Sequence, residues 1–292
     1  MHGAGNDYVY VNCFSEKLPI APEPLARFLA DRHFGVGGDG MVLVIPSEQA
    51  DAGMRMFNAD GSESEMCGNA IRCVGKLLYD NGISRKNSMR IETGKGVLTV
   101  DRLADDMYRV DMGEPVFEPA NIPTTLQATR DGRVIEAPLA VAGRNVAVTC
   151  LSMGNPHAVV FVDQLSDVWV FEVGPKMEVA PEFPNRVNAE FAEVLSPSSI
   201  RMRVWERGTG ETFACGTGAC ATLVAGVLTG RTGRRAELLL RGGVLDIEWR
   251  EEDNHVFMTG NAVEVFRGDM DIPDDLAPGI LEISGGDSNA LV

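Results

Sequence analysis

Alternating apolar and polar residues recur in short runs along most of the chain, a pattern typical of half-buried β-strands. Apolar residues at helical spacing are fewer. They predict a helix within residues 22–34, one that begins at Cys67 and stops near Gly82, and one from Cys215 to about Thr229. The predicted strands are SMRIET (88–93), GVLTVD (96–101), MYRVDM (107–112), RVIEAPL (133–139), NVAVTC (145–150), AVVFV (158–162), RVNAEFAEVL (186–195), IRMRVWE (200–206), ELLL (237–240), VLDIEW (244–249), VFMTG (256–260) and AVEVF (262–266).

Two stretches of the chain resemble each other. The first is FNADGSESEMCGNAIRC (57–73) and the second is WERGTGETFACGTGAC (205–220), and setting Cys67 against Cys215 also aligns Gly68 with Gly216. A second echo has nearly the same offset, since GNDYVYVN begins at Gly5 and GNPHAVVFV at Gly154. Both offsets are about half the chain. The sequence therefore predicts two halves built as copies of one fold.

The duplication and the strand pattern together predict an α+β protein of two pseudo-symmetric domains, each a mostly antiparallel sheet wrapped around a central helix. The helical run 221–228 is too apolar to lie on a surface, so both cysteine helices are expected inside their sheets. The proline-rich stretch 113–123 is the best candidate for a linker. We expect one domain to comprise residues 1–115 plus 262–292 and the other residues 116–261.

Composition narrows the function classes. A formal net charge of −16 argues against binding to nucleic acid or to an anionic membrane, because both need clustered Lys and Arg. We find no signal peptide and no apolar run long enough to cross a bilayer, so a cytoplasmic location is expected. There is no CxxC and only four histidines, which disfavours a structural zinc site. The acidic tail after residue 268 is expected to be mobile at its end.

Each half places a cysteine where a loop turns into a helix. Unpaired N–H groups in the first turn of a helix favour a thiolate and attract carboxylates. If the halves face each other, Cys67 and Cys215 approach one cleft from opposite sides. One thiolate could then remove a proton from a carbon while the opposing thiol donates to its other face. No lysine motif of the pyridoxal type and no metal cluster is apparent, so such a site is expected to work without a cofactor.

Six motifs follow one another along the chain: MHGAGND, GVGGDG, FNADGSESEMCGNAIRC, GNPH, PNRVNAEF and WERGTGETFACGTGACA. In this order and spacing they resemble the motifs of diaminopimelate epimerases, and the likeness extends to about residue 267. The resemblance implies a pyridoxal-independent isomerase that interconverts LL- and meso-diaminopimelate, for lysine and peptidoglycan synthesis. It also implies a small-molecule substrate as partner and a homodimer.

The same resemblance implies roles for individual residues. Cys67 and Cys215 become the acid/base thiols, and His157 assists near them. Gly40 stands where some members carry a Gln that reaches the substrate, and it is kept as a further candidate although it has no side chain. The implied substrate-binding residues are Asn6, Asn58, Gly68, Asn69, Asn155, Asn188, Glu206, Arg207, Gly216 and Thr217.

Other interpretations stay open at this point. Another cofactor-independent racemase, acting on proline or histidine, would share the two thiols. However, Asn58, Asn188 and Arg207 suit a second amino-acid head group, which proline lacks. A non-catalytic duplicated binding protein, or a thiol redox protein that uses Cys67 and Cys215 as a switch, would leave these polar residues unexplained.

Overall fold

The computed structural model describes residues 1–104, 106–273 and 276. The fold is α+β and dominated by strands. Its helices are α1 (Pro22–Ala30), α2 (Gly68–Asp80), α3 (Gly174–Glu178) and α4 (Gly216–Leu228), with a 3-10 turn at Pro119–Asn121 and a π-helical turn at Val168–Val173. The strands of the first half are β1 (His2–Gly3), β2 (Asn6–Asn12), β3 (Gly40–Ile45), β4 (Ala52–Asn58), β5 (Glu63–Ser64), β6 (Ser88–Thr93), β7 (Gly96–Ala104) and β8 (Met107–Asp111). The remaining strands are β9 (Ala137–Val141), β10 (Arg144–Ser152), β11 (Pro156–Phe161), β12 (Asn188–Ser196), β13 (Ser199–Glu206), β14 (Gly210–Glu211), β15 (Arg235–Leu240), β16 (Gly243–Trp249) and β17 (Val256–Asn261).

The order of strand pairing repeats between the two halves. In the first half β2–β3 and β4–β6 are parallel, and β1–β2, β3–β4, β4–β5, β6–β7 and β7–β8 are antiparallel. Strands β10 to β17 follow the same sequence of pairings and directions. Strand β9 is an addition that pairs with β10. The halves therefore share a topology, as the sequence repeat predicts.

The repeat extends to single ion pairs beside the two cysteine loops. Arg55 Nε lies 2.7 Å from Glu63 in the β4–β5 ribbon. Arg203 Nε lies 2.6 Å from Glu211 in the β13–β14 ribbon, at the corresponding positions of the alignment that sets Cys67 on Cys215. Each pair braces the short hairpin that leads into its cysteine. The two loops are thus held by the same interaction.

The halves join where their last strands meet. Strand β8 pairs antiparallel with β17, and Val110 lies opposite Met258. These two residues correspond in the repeat, so the pairing is centred on a pseudo-twofold axis. The Met258 side chain approaches the first residue of each cysteine helix: a Cβ built on Gly68 would lie 2.5 Å from its Cε, and one built on Gly216 would lie 2.9 Å from its Sδ. Glycine at both positions lets both helix N-termini reach the axis.

Both cysteine helices are buried, as the apolar pattern predicts. Helices α2 and α4 belong to one core cluster, in which Cys73 and Cys220 have no exposed surface. Helix α2 ends before Gly82 and α4 before Gly230, both glycines with positive φ. A second cluster fills the space beneath β9–β12, and a third packs α1 against β3. None of the helices in the described residues is long and apolar enough to cross a membrane.

Two details of the sequence prediction need correction. Residues 262–266 do not form a strand: only Val263 makes an isolated bridge, to His2, and Val265 and Phe266 are exposed. The run 133–139 becomes extended only at Ala137. Both stretches alternate in polarity, but outside β9 their backbones make only isolated bridges to other residues. A strand requires continuous backbone pairing, so neither stretch is a strand over its full length. Most of the predicted mobile tail lies outside the described residues, and the domain boundaries remain a prediction.

A buried arginine ties the first cysteine helix to the last strand. Arg72 in α2 has no exposed surface. Its Nη1 donates to the Gly68 carbonyl at 3.2 Å, its Nη2 to Asn69 Oδ1 at 2.9 Å and its Nε to the Asn261 carbonyl at 3.2 Å. Burial lowers the pKa of Arg72. Among the described residues no carboxylate pairs with Arg72. The hydrogen bonds to carbonyl and amide oxygens therefore offset the free-energy cost of removing this cation from water.

We expect Arg72→Met to lower the free energy of unfolding by at least about 2 kcal/mol. The apolar replacement fills the space but leaves buried acceptors unpaired, each at a cost of roughly 1–3 kcal/mol. Urea unfolding followed by circular dichroism measures the change. The matched control is Arg235→Met, because Arg235 is exposed and its ion pair with Asp246 is of the surface type. It should cost less than about 1 kcal/mol. Equal losses in the two variants would contradict a special role for Arg72.

Candidate active site

A cleft of about 1210 Å³ opens where the two cysteine helices begin. Cys67 and Cys215 both lie on its wall, so the structure brings the two candidate thiols to one space. Of the other sequence-predicted residues, the cleft wall includes Asn6, Asn58, Gly68, Asn69, Asn155, Glu206, Arg207, Gly216 and Thr217. His157, Asn188 and Gly40 do not line it.

Cys67 is the N-cap of α2 and faces an amide oxygen. Its Sγ lies 3.2 Å from Asn6 Oδ1. The amide of Asn6 is oriented by Asp39, whose Oδ2 accepts from Asn6 Nδ2 at 2.6 Å. Because Oδ1 can only accept, the contact requires the protonated form of the thiol. In this arrangement Cys67 is therefore held as a proton donor.

Cys215 is the N-cap of α4, and its sulfur accepts a hydrogen bond from the backbone of the first helical turn. The Gly218 N–H donates to its sulfur at 3.3 Å, and Thr217 Oγ1 lies 3.5 Å away. The residue is only 6% exposed. A sulfur that receives hydrogen bonds is stabilised as a thiolate. The two thiols thus occupy equivalent places in the repeat but differ in their side-chain partners: an amide oxygen accepts from Cys67, and a hydroxyl group lies beside Cys215.

Burial opposes ionisation of both thiols. It raises the pKa of Cys67 to about 11, although the backbone N–H groups of Asn69 and Ala70 act in the opposite direction. It raises the pKa of Cys215 well above its usual range, and the nearby carboxyls of Glu206 and Glu190 add to the effect. The first-turn N–H groups lower the pKa of both thiols, which is the direction expected from the sequence, but burial raises the pKa by more.

The first turns of α2 and α4 supply backbone donors at the cleft. The N–H groups of Gly68, Asn69, Gly216 and Thr217 belong to these turns, where no intrahelical acceptor exists. The side chain of Asn69 has another task, since its Nδ2 donates to the Ala214 carbonyl at 3.2 Å and fixes the loop before α4. The arrangement presents two positive helix ends to one ligand-sized space, which suits a carboxylate.

The cysteine of the second half is backed by a buried polar pair. His157 Nε2 lies 3.0 Å from Asn155 Oδ1, and His157 Nδ1 lies 2.7 Å from Glu190. Both His157 and Glu190 have no exposed surface. Burial raises the pKa of Glu190, with His157 acting against it. His157 is therefore one residue removed from the cleft and reaches it through Asn155.

A second group of polar residues lies farther from the thiols. Arg207 is exposed on the cleft wall, and its Nη1 donates to the Asn185 carbonyl at 3.3 Å. Asn188 is buried behind it and holds the Arg207 backbone, since Asn188 Oδ1 accepts from the Arg207 N–H at 2.9 Å. Glu206 accepts from Thr212, and burial raises the pKa of its carboxyl. Asn188 thus positions the loop that presents Arg207.

Asn58 and Gly40 lie at facing positions of β4 and β3. Asn58 lines the cleft and donates from Nδ2 to Ser62 at 3.0 Å. A Cβ on Gly40 would lie 2.0 Å from the Phe57 carbonyl oxygen, so this backbone accepts no side chain. Gly40 corresponds to Asn188 in the repeat, because both lie opposite the residue two positions after the Gly-Asn turn. The first half therefore lacks the amide that the second half has.

Several residues of the site escaped the sequence reasoning. Asp39 orients Asn6, and Arg32 bridges Asp39 and Asp7 at 3.0 and 2.8 Å. Burial raises the pKa of Asp39. Lys95 comes from the β6–β7 turn to the cleft wall, and burial lowers its pKa. The glycine-rich sequence 35–40 could have drawn attention to Asp39, but nothing local marks Lys95, which reaches the site through tertiary folding.

The sequence as a whole is similar to proteins of known function. The sequence profile described as diaminopimelate epimerase matches residues 1–118 and 149–265. The diaminopimelate epimerase of Acetivibrio thermocellus is 53% identical over 277 residues, covering 93% of this chain and 97% of the relative. That of Desulfovibrio desulfuricans is 54% identical over 277 residues, covering 92% and 96%.

Solved structures with low sequence identity share the fold. A probable proline racemase from Agrobacterium radiobacter superposes with a TM-score of 0.58 at 17% identity, covering 82% of this chain and 78% of its own. A phenazine biosynthesis protein of the PhzF family from Bacillus anthracis superposes with a TM-score of 0.56 at 19% identity, covering 77% and 82%. The sequence profile and the close relatives span both halves, and the chain belongs to the diaminopimelate epimerase family of isomerases.

Proposed function

We propose that the protein converts LL-diaminopimelate to meso-diaminopimelate, and back, by a two-cysteine mechanism that uses no cofactor. The observation that supports this most directly is the shared cleft. Cys67 and Cys215 are the N-caps of two pseudo-symmetric helices, and both line this cleft. Inversion of a carbon requires a base on one face and an acid on the other. Two thiols related by a pseudo-twofold axis meet that requirement.

In the proposed reaction one thiolate removes the α-proton and the opposing thiol delivers its own proton to the other face. The carbon loses one proton and gains another on its opposite face, and the two sulfurs exchange protonation states. The hydrogen bond from Cys67 to Asn6 Oδ1 assigns Cys67 as the acid at the start and leaves Cys215 as the base, although burial and the nearby carboxyls raise the pKa of Cys215. The next turnover in the reverse direction begins with the roles exchanged.

The acidity of the carbon sets the energetic problem. A carbon acid beside a carboxylate is much weaker than a thiol, and each pKa unit of mismatch costs about 1.4 kcal/mol. One preorganised donor to a developing oxyanion contributes roughly 3–4 kcal/mol. The first turns of α2 and α4 offer several such donors to the reacting carboxylate. The raised pKa of each thiol also makes its thiolate a stronger base once formed, which narrows the mismatch.

The rest of the cleft accounts for a substrate with two amino-acid ends. We propose that Arg207 binds the distal carboxylate, with Glu206, Asn58, Asn6 and Asn155 contacting ammonium and carboxylate groups. Asn188 acts behind Arg207, and His157 behind Asn155. Gly40 contributes only backbone.

We also propose that the protein consists of two domains, residues 1–115 plus 262–292 and residues 116–261, and that each domain carries one thiol. The product would serve lysine and peptidoglycan precursor synthesis in the cytoplasm. A homodimer without nucleic-acid or membrane partners completes the proposal. Analytical ultracentrifugation of the purified protein tests the dimer.

Incubation with LL-diaminopimelate in deuterium oxide tests the function. We expect meso product that carries deuterium at one α-carbon, because the donated proton comes from a thiol that exchanges with solvent. L-proline, offered in parallel, should show neither racemisation nor exchange. Racemisation of proline without turnover of diaminopimelate would assign the chain to the alternative activity.

Cys67→Ala and Cys215→Ala test the two-base mechanism. Each should abolish epimerisation, since inversion needs both a base and an opposing acid. Each surviving thiol should still exchange the α-proton of the one stereoisomer that faces it, so the two variants should label opposite stereoisomers. Nuclear magnetic resonance and chiral chromatography measure these outcomes. Cys13→Ala, at a half-buried position away from the cleft, is the control. Epimerisation by either cleft variant would end the two-base mechanism.

Arg207→Ala tests the distal contact. Loss of a charge-assisted hydrogen bond worth about 1.5–3 kcal/mol should lower kcat/KM by roughly ten- to a hundredfold. Arg201→Ala is the matched control, because Arg201 is exposed in β13 and pairs only with Glu193 among the described residues. Its kcat/KM should remain within about twofold of the parent value. Unchanged kinetics in Arg207→Ala would place that side chain outside the substrate site.

A further inference from the structure

Glu190 is a buried carboxyl group that the proposed chemistry does not use. It comes from β12 and contacts His157 of the adjacent parallel strand β11. The Oε1–Nδ1 distance is 2.7 Å, and neither side chain has exposed surface. Glu190 Oε2 has no hydrogen-bond partner among the residues that the structure describes. Burying a carboxyl group with one oxygen left without a hydrogen-bond partner costs free energy of folding.

Hydrogen bonds connect this pair to the thiol of the second half. His157 Nε2 lies 3.0 Å from Asn155 Oδ1, and Asn155 Nδ2 donates to Thr217 Oγ1 at 3.2 Å. Thr217 Oγ1 in turn lies 3.5 Å from the sulfur of Cys215. Four contacts therefore lead from the buried carboxyl to the sulfur.

The chemistry of each group fixes the direction of the donors. Asn155 Oδ1 can only accept, so His157 must carry a proton on Nε2. Because Asn155 donates to Thr217, the Thr217 hydroxyl is free to donate its own hydrogen to the sulfur. Every donor in the series then faces Cys215. The orientation depends on the protonation state of His157.

The short contact between His157 and Glu190 also contains a proton. A deprotonated Nδ1 and a carboxylate would be two acceptors 2.7 Å apart, which is repulsive. One proton must lie between them, on Nδ1 or on Oε1, so that the pair is neutral overall. Without that proton Glu190 would be a bare anion next to α4: a Cβ on Gly218 would meet Glu190 Oε1 at 2.8 Å and the Cys215 sulfur at 3.2 Å.

The corresponding positions of the first half do not hold a pair like His157 and Glu190. In the repeat, Tyr8 corresponds to His157 and Val42 to Glu190, as the parallel register of β2 with β3 shows. Tyr8 and Val42 are both buried and cannot form the same pair. Cys67 instead donates to an amide oxygen. The polar pair is therefore specific to the Cys215 side of the cleft.

We propose that Glu190 is a positioning residue that, through the proton it shares with His157, keeps a hydrogen-bond donor directed at the Cys215 sulfur. A carboxylate at Glu190 on its own raises the pKa of Cys215, as Glu206 does, and the proton shared with His157 makes the pair neutral overall and so limits that effect. It thereby helps Cys215 to exist as a thiolate in a buried site. This role deepens the proposed two-thiol function and rests on it only for its catalytic consequence.

Alkylation of the intact protein by iodoacetamide across pH 7–10 tests the proposal, because only a thiolate reacts. Peptide mass spectrometry follows Cys215 and Cys67 in the same sample, so Cys67 is an internal reference. In Glu190→Leu we expect Cys215 to react about tenfold more slowly at a fixed pH, with its profile moved to higher pH by about one unit. The Cys67 rate should stay within about twofold.

Glu190→Gln is the matched variant. Its amide can donate to His157 Nδ1 and so keep the proton on Nε2, and Cys215 alkylation should return to within about threefold of the parent protein. Thr217→Val removes only the last donor and should slow Cys215 alkylation as much as Glu190→Leu does. It therefore tests the proposal even if Glu190→Leu does not fold. The losses in Glu190→Leu and Thr217→Val should not add, because both break one series.

The opposite sign would overturn the proposal. If Glu190 were a bare anion that hinders ionisation of Cys215, both Glu190→Leu and Glu190→Gln would accelerate its alkylation. Unchanged alkylation in Thr217→Val and Glu190→Leu would show that Glu190 only fills space. Because these measurements need no substrate, they can fail while the parent protein still epimerises diaminopimelate, and the reverse also holds.

Discussion

The meeting of two helix N-termini at the β8–β17 pairing is the constraint on which the rest of the structure depends. Met258 lies on the pseudo-twofold axis, and its side chain leaves room only for glycine at the start of each helix. Arg72 then fixes the first turn of α2 to the strand that carries Met258. This junction sets the separation of the thiols, the direction of the backbone donors and the position of the cleft. A catalytic pair built elsewhere on either half would have no counterpart to face.

Duplication gives two similar thiols, but a reaction in either direction needs them in different protonation states. Backbone N–H groups approach both sulfurs, but their side-chain neighbours differ: the amide oxygen of Asn6 accepts from Cys67, whereas the Thr217 hydroxyl lies beside Cys215. The backbone repeat is preserved while polar side chains break the symmetry. Tyr8 opposite His157 in the repeat is the clearest such difference. The repeated backbone thus places the two thiols at equivalent positions, and the polar side chains that differ between the halves give them different roles.

The sequence alone predicts a large part of this arrangement. Periodicity locates both cysteine helices and most strands. The sequence repeat around Cys67 and Cys215 predicts the duplicated topology, because two similar sequences are expected to pair their strands in the same order. It fails at residues 262–266, where polarity alternates but only Val263 pairs with another residue, His2 of β1. It also misses Glu190 and Lys95. Glu190 resembles any polar residue of a strand, and only the register of β11 with β12 brings it against His157.

The same limit applies to the acidity of the thiols. From sequence, a cysteine at a helix N-terminus has one visible influence, the unpaired N–H groups, which stabilise a thiolate by up to about 2 kcal/mol in favourable geometry. Burial is invisible until the chain is folded, and here it is the larger effect for both thiols. The outcome has a chemical advantage. A thiol of ordinary acidity would ionise easily but would be a weak base toward a carbon acid. A buried thiol ionises only where donors converge on its sulfur, and the thiolate then formed is more basic. The donors around Cys215 are therefore a condition for the chemistry, not an addition to it.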